Sequence, residues 1–333
     1  MNGKIFHRKF SELSNLSSSY LESFYKFIGA RYSAGGICLR EGRICSIQGI
    51  LLTKQLGFDF DPISFGVLDE MKIYSECFDE LKSCHFFSME KINDINAKVR
   101  KGFLGSGVVR DHDVSAQAAN GKINRRYLSC NVVFEEYASF FNSLNSIDDY
   151  IEKAFFAHVK FVEVHPYTDG NGRISRLLLE AILYKDFGIY FPASLFRMGR
   201  NEEYLKSIDY FNDNSVSLFN IDFWKSHLLW ILKFHSFAID VFNSKVSFFK
   251  SKSALYLIDP NAQGKIESTL MEPIKVLKTK SKEAKFYDEI SEMNLVSKNE
   301  DLNIPGVNVY INKDILEAWL KVNRFLISGC VTP

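Results

Sequence analysis

The sequence predicts an all-α protein that carries one small β-hairpin and a small C-terminal α/β module. Apolar residues recur at helical spacing along most of the 333 residues, and one glycine-rich stretch breaks this period. Hydrophobic residues make up 46% of the chain and charged residues 24%, which is ordinary for a globular protein. Phe occurs 30 times, enough for a large aromatic core. A chain of this length accommodates two domains, or one domain with an appendage.

Residues 1–84 are predicted to form an N-terminal helical region. Leu21, Phe24 and Ile28 follow a helical period. Residues 44–57 predict a short helix closed by Gly49, because glycine readily takes the left-handed conformation of a helix C-cap. A further helix is predicted near residues 61–80, with Pro62 at its start.

Residues 85–249 are predicted to form the core. The periodicity favours helices over 85–100, 133–145, 148–164, 171–186, 201–213 and 222–244, with 148–164 the strongest. Residues 102–118 change character: three glycines are followed by loose alternation of apolar and polar residues. Asn120-Gly121 is a hairpin-turn signal, so the sequence predicts a β-hairpin here.

Residues 250–333 are predicted to be a small separate module. Val307–Ile311 reads as a strand and residues 315–325 as a final helix. The lysines between 275 and 285 are typical of a solvated face. The alternative is a winged-helix-like module that binds nucleic acid, but a net charge of +1 argues against nucleic-acid binding as the main role.

The sequence also favours a cytoplasmic protein without a membrane partner. Residues 1–10 mix basic and polar residues and lack the apolar core of a signal peptide. No uncharged apolar run is long enough to span a bilayer. The six cysteines are scattered without metal-like spacing, which predicts buried, reduced thiols.

The residues best suited to chemistry are concentrated between two predicted core helices. This stretch reads His165-Pro166-Tyr167-Thr168-Asp169-Gly170-Asn171-Gly172-Arg173-Ile174-Ser175-Arg176. The two glycines let main-chain N–H groups converge at the start of a helix, where anions bind. Arg173 and Arg176 are three residues apart and share a helix face, so both can grip phosphates.

Two further residues complete a set of groups for phosphoryl or nucleotidyl transfer. Asp169 is the only carboxylate of the stretch and a natural ligand for Mg²⁺ beside a polyphosphate. His165 follows the preceding helix, and its imidazole can accept a proton near neutral pH. A Walker-type loop would need a lysine after the glycines, and none is present.

This stretch resembles the signature of the Fic family, His-x-Phe-x-(Asp/Glu)-Gly-Asn-Gly-Arg-x-x-Arg. It departs at one position, where Tyr167 replaces the usual phenylalanine. The resemblance implies a Fic-type helical core. It also implies transfer of AMP from ATP, with Mg²⁺, to a serine, threonine or tyrosine hydroxyl of a target protein or of the enzyme itself.

The resemblance also implies a role for each residue of the motif. His165 would be the general base, and Asp169 would bind the Mg²⁺ that bridges the α- and β-phosphates. The phosphate contacts would come from Gly170, Asn171 and Gly172 at the α-phosphate, Arg173 along the phosphate chain and Arg176 at the γ-phosphate. The intact Gly-Asn-Gly-Arg core argues against the kinase-like offshoot of the family.

Two regions outside the motif resemble further parts of the family. Residues 102–115 correspond to the flap hairpin that docks the target segment by β-augmentation, with Val108, Val109 and Arg110 as candidate docking residues. For Arg110, substrate contact and plain exposure are equally favoured. Gln48 stands where many relatives have the inhibitory glutamate that pairs with the second arginine, and a neutral amide predicts weaker autoinhibition.

Several alternatives stay open from the sequence. The motif grips phosphates and does not read the base, so UMP or GMP transfer is compatible with it. Removal of AMP from a modified protein is another, and a non-catalytic nucleotide-sensing regulator is a third. The expected partners are a nucleotide and a target protein, and homodimers are common among relatives.

Overall fold

The computed structural model describes residues 19–34, 46–57, 61–117, 123–188, 190, 192, 195–196, 204, 225–254, 272–292, 296–302 and 304–328. The chain divides into two compact units. The first is built mainly from residues 70–232, and the second mainly from residues 36–69 and 233–333. The division predicted at residues 84 and 249 stays a prediction.

The predicted all-α class, with a hairpin and a small α/β part, is confirmed. The helices are α1 (Ser19–Ala34), α2 (Ile47–Leu56), α3 (Pro62–Lys82), α4 (Met89–Val99), α5 (Cys130–Ser146), α6 (Tyr150–Val164), α7 (Asn171–Phe187), α8 (Lys225–Ala254), α9 (Lys282–Glu292) and α10 (Lys313–Ser328). The strands are β1 (Ser115–Gln117), β2 (Ile123–Arg126), β3 (Ile274–Lys278), β4 (Ser297–Lys298) and β5 (Val307–Ile311). Within the described ranges, no helix has both the length and the apolarity needed to cross a bilayer.

The core of the first unit surrounds the pair α6 and α7. Helix α6 packs against α7 and α5, and α4 packs against both α5 and α7. Phe140 and Phe161 are buried between them with ring centroids 5.7 Å apart. Helix α6 begins after Asp149, whose carboxylate accepts hydrogen bonds from the N–H groups of Ile151 and Glu152. The strongest predicted helix is therefore capped at its start and buried along its length.

The prediction that Gly49 closes a helix is wrong. Ser46 is the N-cap of α2, and its hydroxyl accepts a hydrogen bond from the N–H of Gly49 at 2.9 Å. The glycine thus lies in the first turn, and the C-cap is Gly57, at φ 90°. Serine is a favoured N-cap residue, so Ser46 signalled a helix start as strongly as Gly49 signalled a helix end. Ile44 and Cys45, which precede this helix, lie outside the described residues.

The hairpin is present but begins later than predicted. Strands β1 and β2 pair antiparallel, with Ser115 opposite Arg126. Residues 102–114, expected to belong to the flap hairpin, form turns, bends and irregular segments instead. Gly102, Gly105 and Gly107 all have positive φ, which curls the chain where a strand would need extended backbone. The predicted turn at residues 120–121 lies outside the described residues.

The second unit contains an antiparallel sheet of order β3-β5-β4 covered by α9. The strand over 307–311 and the final helix are confirmed, whereas β3 and α9 were not predicted. Both lie in the lysine-rich stretch, where Val276 and Tyr287 supply only a short apolar pattern. The exposed lysines of this stretch, as predicted for a solvated face, are Lys278, Lys280, Lys282 and Lys285.

Two other sequence predictions are answered in part. The helix predicted over 222–244 runs longer, as α8, whereas residues 201–213 lie outside the described part except Tyr204. Among the described cysteines, Cys77 is buried as predicted, while Cys84 and Cys130 are partly exposed; all three are free thiols.

Candidate active site

The imidazole of His165 is fixed at the C-terminal end of α6. His165 is the C-cap residue and is left-handed, at φ 49°, the single non-glycine residue with positive φ in the described part of the chain. Its Nδ1 atom lies 3.2 Å from the carbonyl oxygen of Val162. That contact is a hydrogen bond only when Nδ1 carries the proton, which makes Nε2 the acceptor nitrogen. The geometry therefore suits a base that acts through Nε2.

The loop between His165 and α7 is closed by Asn171. Its amide donates to the carbonyl of Tyr167 at 2.7 Å and accepts from the N–H of Tyr167 at 3.1 Å. The side chain is only 1% exposed. Asn171 thus shapes the loop, and its predicted contact with an α-phosphate stays a prediction.

The first turn of α7 has the form of an anion-binding nest. Gly170 is the N-cap, at φ 90°, and supplies no side chain to cap the helix. The first N–H groups of a helix have no partner within the helix, and the helix dipole makes this end positive. A Cβ at Gly170 would lie 2.8 Å from Asn96 Nδ2, so only glycine fits both the backbone conformation and the space.

Both arginines of the motif lie beside this turn. Arg173 donates from Nη1 to the carbonyl of Val99 at 3.1 Å. Arg176 is 8% exposed, and its Nη1 would lie 3.3 Å from a Cβ at position 172. Gly172 therefore lets the Arg176 guanidinium approach the positive end of the helix, where a phosphate would compensate both charges.

The carboxylate of Asp169 has the chemistry of a single Mg²⁺ ligand. Its Oδ1 accepts from the N–H of Gly170 at 2.6 Å, and its Oδ2 lies 2.9 Å from Arg100 Nη1. Magnesium is commonly held by one or two carboxylates together with substrate phosphates. The described part of the chain contains no cluster of three His, Cys, Asp or Glu residues that could hold a metal alone. The donor set therefore fits a metal that arrives with a nucleotide.

Helix α4 supports the motif through residues that the sequence analysis missed. The buried side chain of Asn96 donates to the carbonyl of Asp169 at 3.0 Å and accepts from the N–H of Gly107 at 2.8 Å. Asn93 and Asn96 of α4 and its C-cap residue Arg100 are three and four residues apart, so they lie along one side of this helix. This polar stripe beside the apolar Ile92, Ile95 and Val99 is the signal that could have identified them.

The departure from the family signature at Tyr167 is matched by polar partners. The Tyr167 hydroxyl donates to Asn93 Oδ1 at 2.6 Å and lies 2.7 Å from the Tyr137 hydroxyl. Tyr167 and Tyr137 are each at most 1% exposed, and burial raises the pKa of both phenols well above the usual value. The extra hydroxyl is therefore satisfied inside the core rather than presented to the site.

The expectation that the Arg110 side chain is exposed is wrong, whereas its contact with a target stays a prediction. Arg110 is 4% exposed and donates from Nε to the carbonyl of His165 at 2.8 Å and from Nη1 to that of His112 at 2.9 Å. Nη2 donates to the carbonyl of Leu128. Burial lowers the pKa of this guanidinium. Arg110 therefore joins the glycine-rich loop to the motif.

The other predicted docking residues are placed differently. Val108 is 62% exposed and Val109 is half-buried, and neither belongs to a strand. Target docking by this segment stays a prediction. Gln48 lies exposed in the first turn of α2, in the second unit, and its interaction with Arg176 also stays a prediction.

The comparisons with known proteins agree with this site. Residues 85–183 match the model of the Fic/DOC family. The chain is 40% identical over 80 residues to protein adenylyltransferase fic-1 of Caenorhabditis briggsae, covering 23% of this chain and 15% of that protein. It is 39% identical over 59 residues to a Fido domain-containing protein of Dictyostelium discoideum, covering 18% and 38%. The chain thus matches well under half the length of these curated relatives.

Solved structures show the same fold. A Fic family protein from Desulfovibrio desulfuricans superposes with a TM-score of 0.55 at 14% identity, covering 94% of this chain and 97% of that one. A Fic domain containing signaling protein from Bacteroides thetaiotaomicron gives a TM-score of 0.51 at 18% identity, covering 71% and 96%. The site of His165, the nest and the two arginines lies within the matched range. Residues 85–183 of this chain, which contain the site, therefore resemble a Fic/DOC family domain.

Proposed function

We propose that this protein transfers AMP from ATP to a hydroxyl group of a target protein. The observation that carries the proposal is the placement of His165 Nε2, the glycine nest and the two arginines around one loop. Relatives named protein adenylyltransferase support the same reaction class. Nothing in the arrangement reads the base, so the choice of ATP over GTP or UTP rests on these relatives.

The proposed reaction balances with the groups present. The target O–H gives its proton to His165 Nε2 while its oxygen bonds to the α-phosphorus. The bond from the α-phosphorus to the oxygen that bridges to the β-phosphate breaks, and pyrophosphate leaves. Charge that develops on the phosphates meets the N-terminus of α7, Arg173 and Arg176, and such preorganised charge is commonly the largest catalytic contribution. Asp169 would hold a Mg²⁺ ion, whose positive charge would neutralise part of the negative charge of the phosphates.

The proposal predicts transfer that depends on His165 and on the nucleotide. Purified protein is incubated with Mg²⁺, a cell extract and ATP, GTP or UTP labelled on the α-phosphate, in parallel. Wild type should label a protein with ATP, whereas His165→Ala should not. His85→Ala is the matched control, because His85 is exposed and outside the motif. Labelling by GTP or UTP alone would mean that the protein transfers GMP or UMP and not AMP. Binding of ATP without any labelling would favour the nucleotide-sensing regulator.

A further inference from the structure

Tyr127 lies flat against the imidazole of His165. Their ring centroids are 3.5 Å apart and the ring planes differ by 12°. Tyr127 directly follows β2, and its N–H approaches the carbonyl of Val114 at 3.5 Å, at the base of the hairpin. A ring from the hairpin end therefore covers one face of the proposed base.

The stack completes the restraint of the imidazole. Nδ1 holds one edge of the ring through Val162, and Arg110 Nε binds the main-chain carbonyl of His165. A single hydrogen bond at one edge still lets the ring plane rock about the Cβ–Cγ bond of His165. A second aromatic ring packed against the face prevents this, because rotation would push the two rings into one another.

Stacking covers the face of the imidazole and not its edge. The lone pair of Nε2 lies in the plane of the ring. Tyr127 therefore does not lie in the path of a target hydroxyl that approaches Nε2 along the plane. When His165 takes the proton, the cation that forms lies over an electron-rich phenol ring, an arrangement that stabilises cations.

We infer that Tyr127 is the positioning residue for His165: it fixes the plane of the imidazole and stabilises its protonated form during transfer. This inference rests on the proposed function, since it assigns His165 the role of base. This role depends on the aromatic ring of Tyr127 and not on its hydroxyl group. Phenylalanine should therefore replace Tyr127, whereas an aliphatic residue should not.

The test compares Tyr127→Phe, Tyr127→Leu and wild type in AMP transfer. Tyr127→Leu should lower kcat roughly 10- to 100-fold with the KM for ATP unchanged, a loss in line with small misplacements of catalytic groups. Tyr127→Phe should keep kcat within about threefold of the wild-type value, because phenylalanine retains the stacked ring. The matched control is Tyr150→Leu, at a tyrosine that is 41% exposed and outside the site. Equal loss in both Tyr127 variants, or a rise in KM alone, would overturn the inference.

A second readout does not depend on activity. Ring protons that face an aromatic ring shift upfield, so the His165 imidazole signals in NMR spectra should move downfield in Tyr127→Leu and stay near their wild-type positions in Tyr127→Phe. Unchanged signals in Tyr127→Leu would show that the stack is absent and overturn the inference. An inactive wild type with the expected NMR shifts would instead contradict the proposed function. Thermal unfolding shows whether each variant is folded. If Tyr127→Leu is unfolded, Tyr127→Met takes its place in both tests.

Discussion

Arg100 Nη1 lies 2.9 Å from Asp169 Oδ2, so the proposed metal ligand is already paired with a cation in the protein alone. The Arg100 guanidinium also covers the ring of Phe103, 3.7 Å from its centroid. The side chains of Arg100 and Asp169 are 17% and 27% exposed, which reduces solvent screening of the pair. A metal that binds Asp169 must compete with this ion pair.

Replacing Arg100 should therefore strengthen metal binding. We expect Arg100→Gln to lower the concentration of Mn²⁺ at half-saturation about fivefold in the presence of a non-hydrolysable ATP analogue, equivalent to about 1 kcal/mol for a partly exposed pair. Electron paramagnetic resonance of Mn²⁺ measures this directly. Lys101→Gln removes an exposed neighbouring cation and serves as the control. Weaker metal binding by Arg100→Gln would mean that Arg100 supports the metal rather than competing with it.

Restoring the phenylalanine of the family signature should destabilise this protein. Tyr167→Phe removes the 2.6 Å hydrogen bond to the half-buried Asn93 Oδ1 and the 2.7 Å contact with the buried Tyr137 hydroxyl. These two groups keep only their mutual hydrogen bond of 3.4 Å, so we expect a loss of about 1 kcal/mol in the free energy of unfolding. Chemical denaturation measures the change. Tyr150→Phe, at an exposed tyrosine, should have no effect. A Tyr167→Phe variant as stable as wild type would show that the hydroxyl network contributes nothing.

Two glycine-to-alanine substitutions separate the cost of backbone strain from the cost of a steric clash at the motif. Gly170→Ala meets both a φ of 90° and a contact of 2.8 Å with Asn96 Nδ2, whereas Gly105→Ala meets only a φ of 77° in open space. Strain alone costs about 1 kcal/mol, so Gly105→Ala should lose about that much unfolding free energy. Gly170→Ala should lose more and should also lose AMP transfer. Equal losses in the two variants would remove the packing argument for Gly170.

Stability should fall in mild acid because of His235. This residue of α8 is fully buried, and burial lowers its pKa from 6.5 to about 4. Below pH 6.5 the unfolded chain binds a proton that the folded chain does not, so the unfolding free energy decreases as the pH falls from 6.5 towards 4. The total loss is about 3 kcal/mol. Urea denaturation at several pH values measures the slope, and His235→Leu should reduce it; an identical slope would assign it to other groups.

The variant Gln48→Glu tests the prediction that autoinhibition is weakened. Gln48 lies exposed in the first turn of α2, where the helix dipole favours a negative charge, so Gln48→Glu should fold normally. If the charge restores an ionic contact with Arg176, self-modification with AMP should fall several-fold, in line with the 1–3 kcal/mol typical of charged hydrogen bonds. Equal self-modification in wild type and variant would end the idea.

The sequence predicted the parts of this structure that follow from local pattern. The apolar stripe of α6 and the glycines at the start of α7 specify a helix, a turn and a second helix, and the motif runs from the end of the first helix into the second. The support of the motif depends on distant residues: Asn96 reaches Asp169 across 73 positions, and Arg110 reaches His165 across 55. Periodicity carries no information about such pairings, which is why Arg110 was expected at the surface and Tyr127 was not singled out.

The most direct test of the central proposal determines which phosphate of ATP is transferred to the target. Wild type and His165→Ala are incubated with Mg²⁺ and a cell extract, with ATP labelled either on the α-phosphate or on the γ-phosphate. The proposed reaction predicts that wild type adds protein labelling from the α-label only, above the labelling of the extract alone, and that His165→Ala adds none from either label. Added labelling from the γ-phosphate, or added labelling that survives His165→Ala, would contradict AMP transfer with His165 as the base.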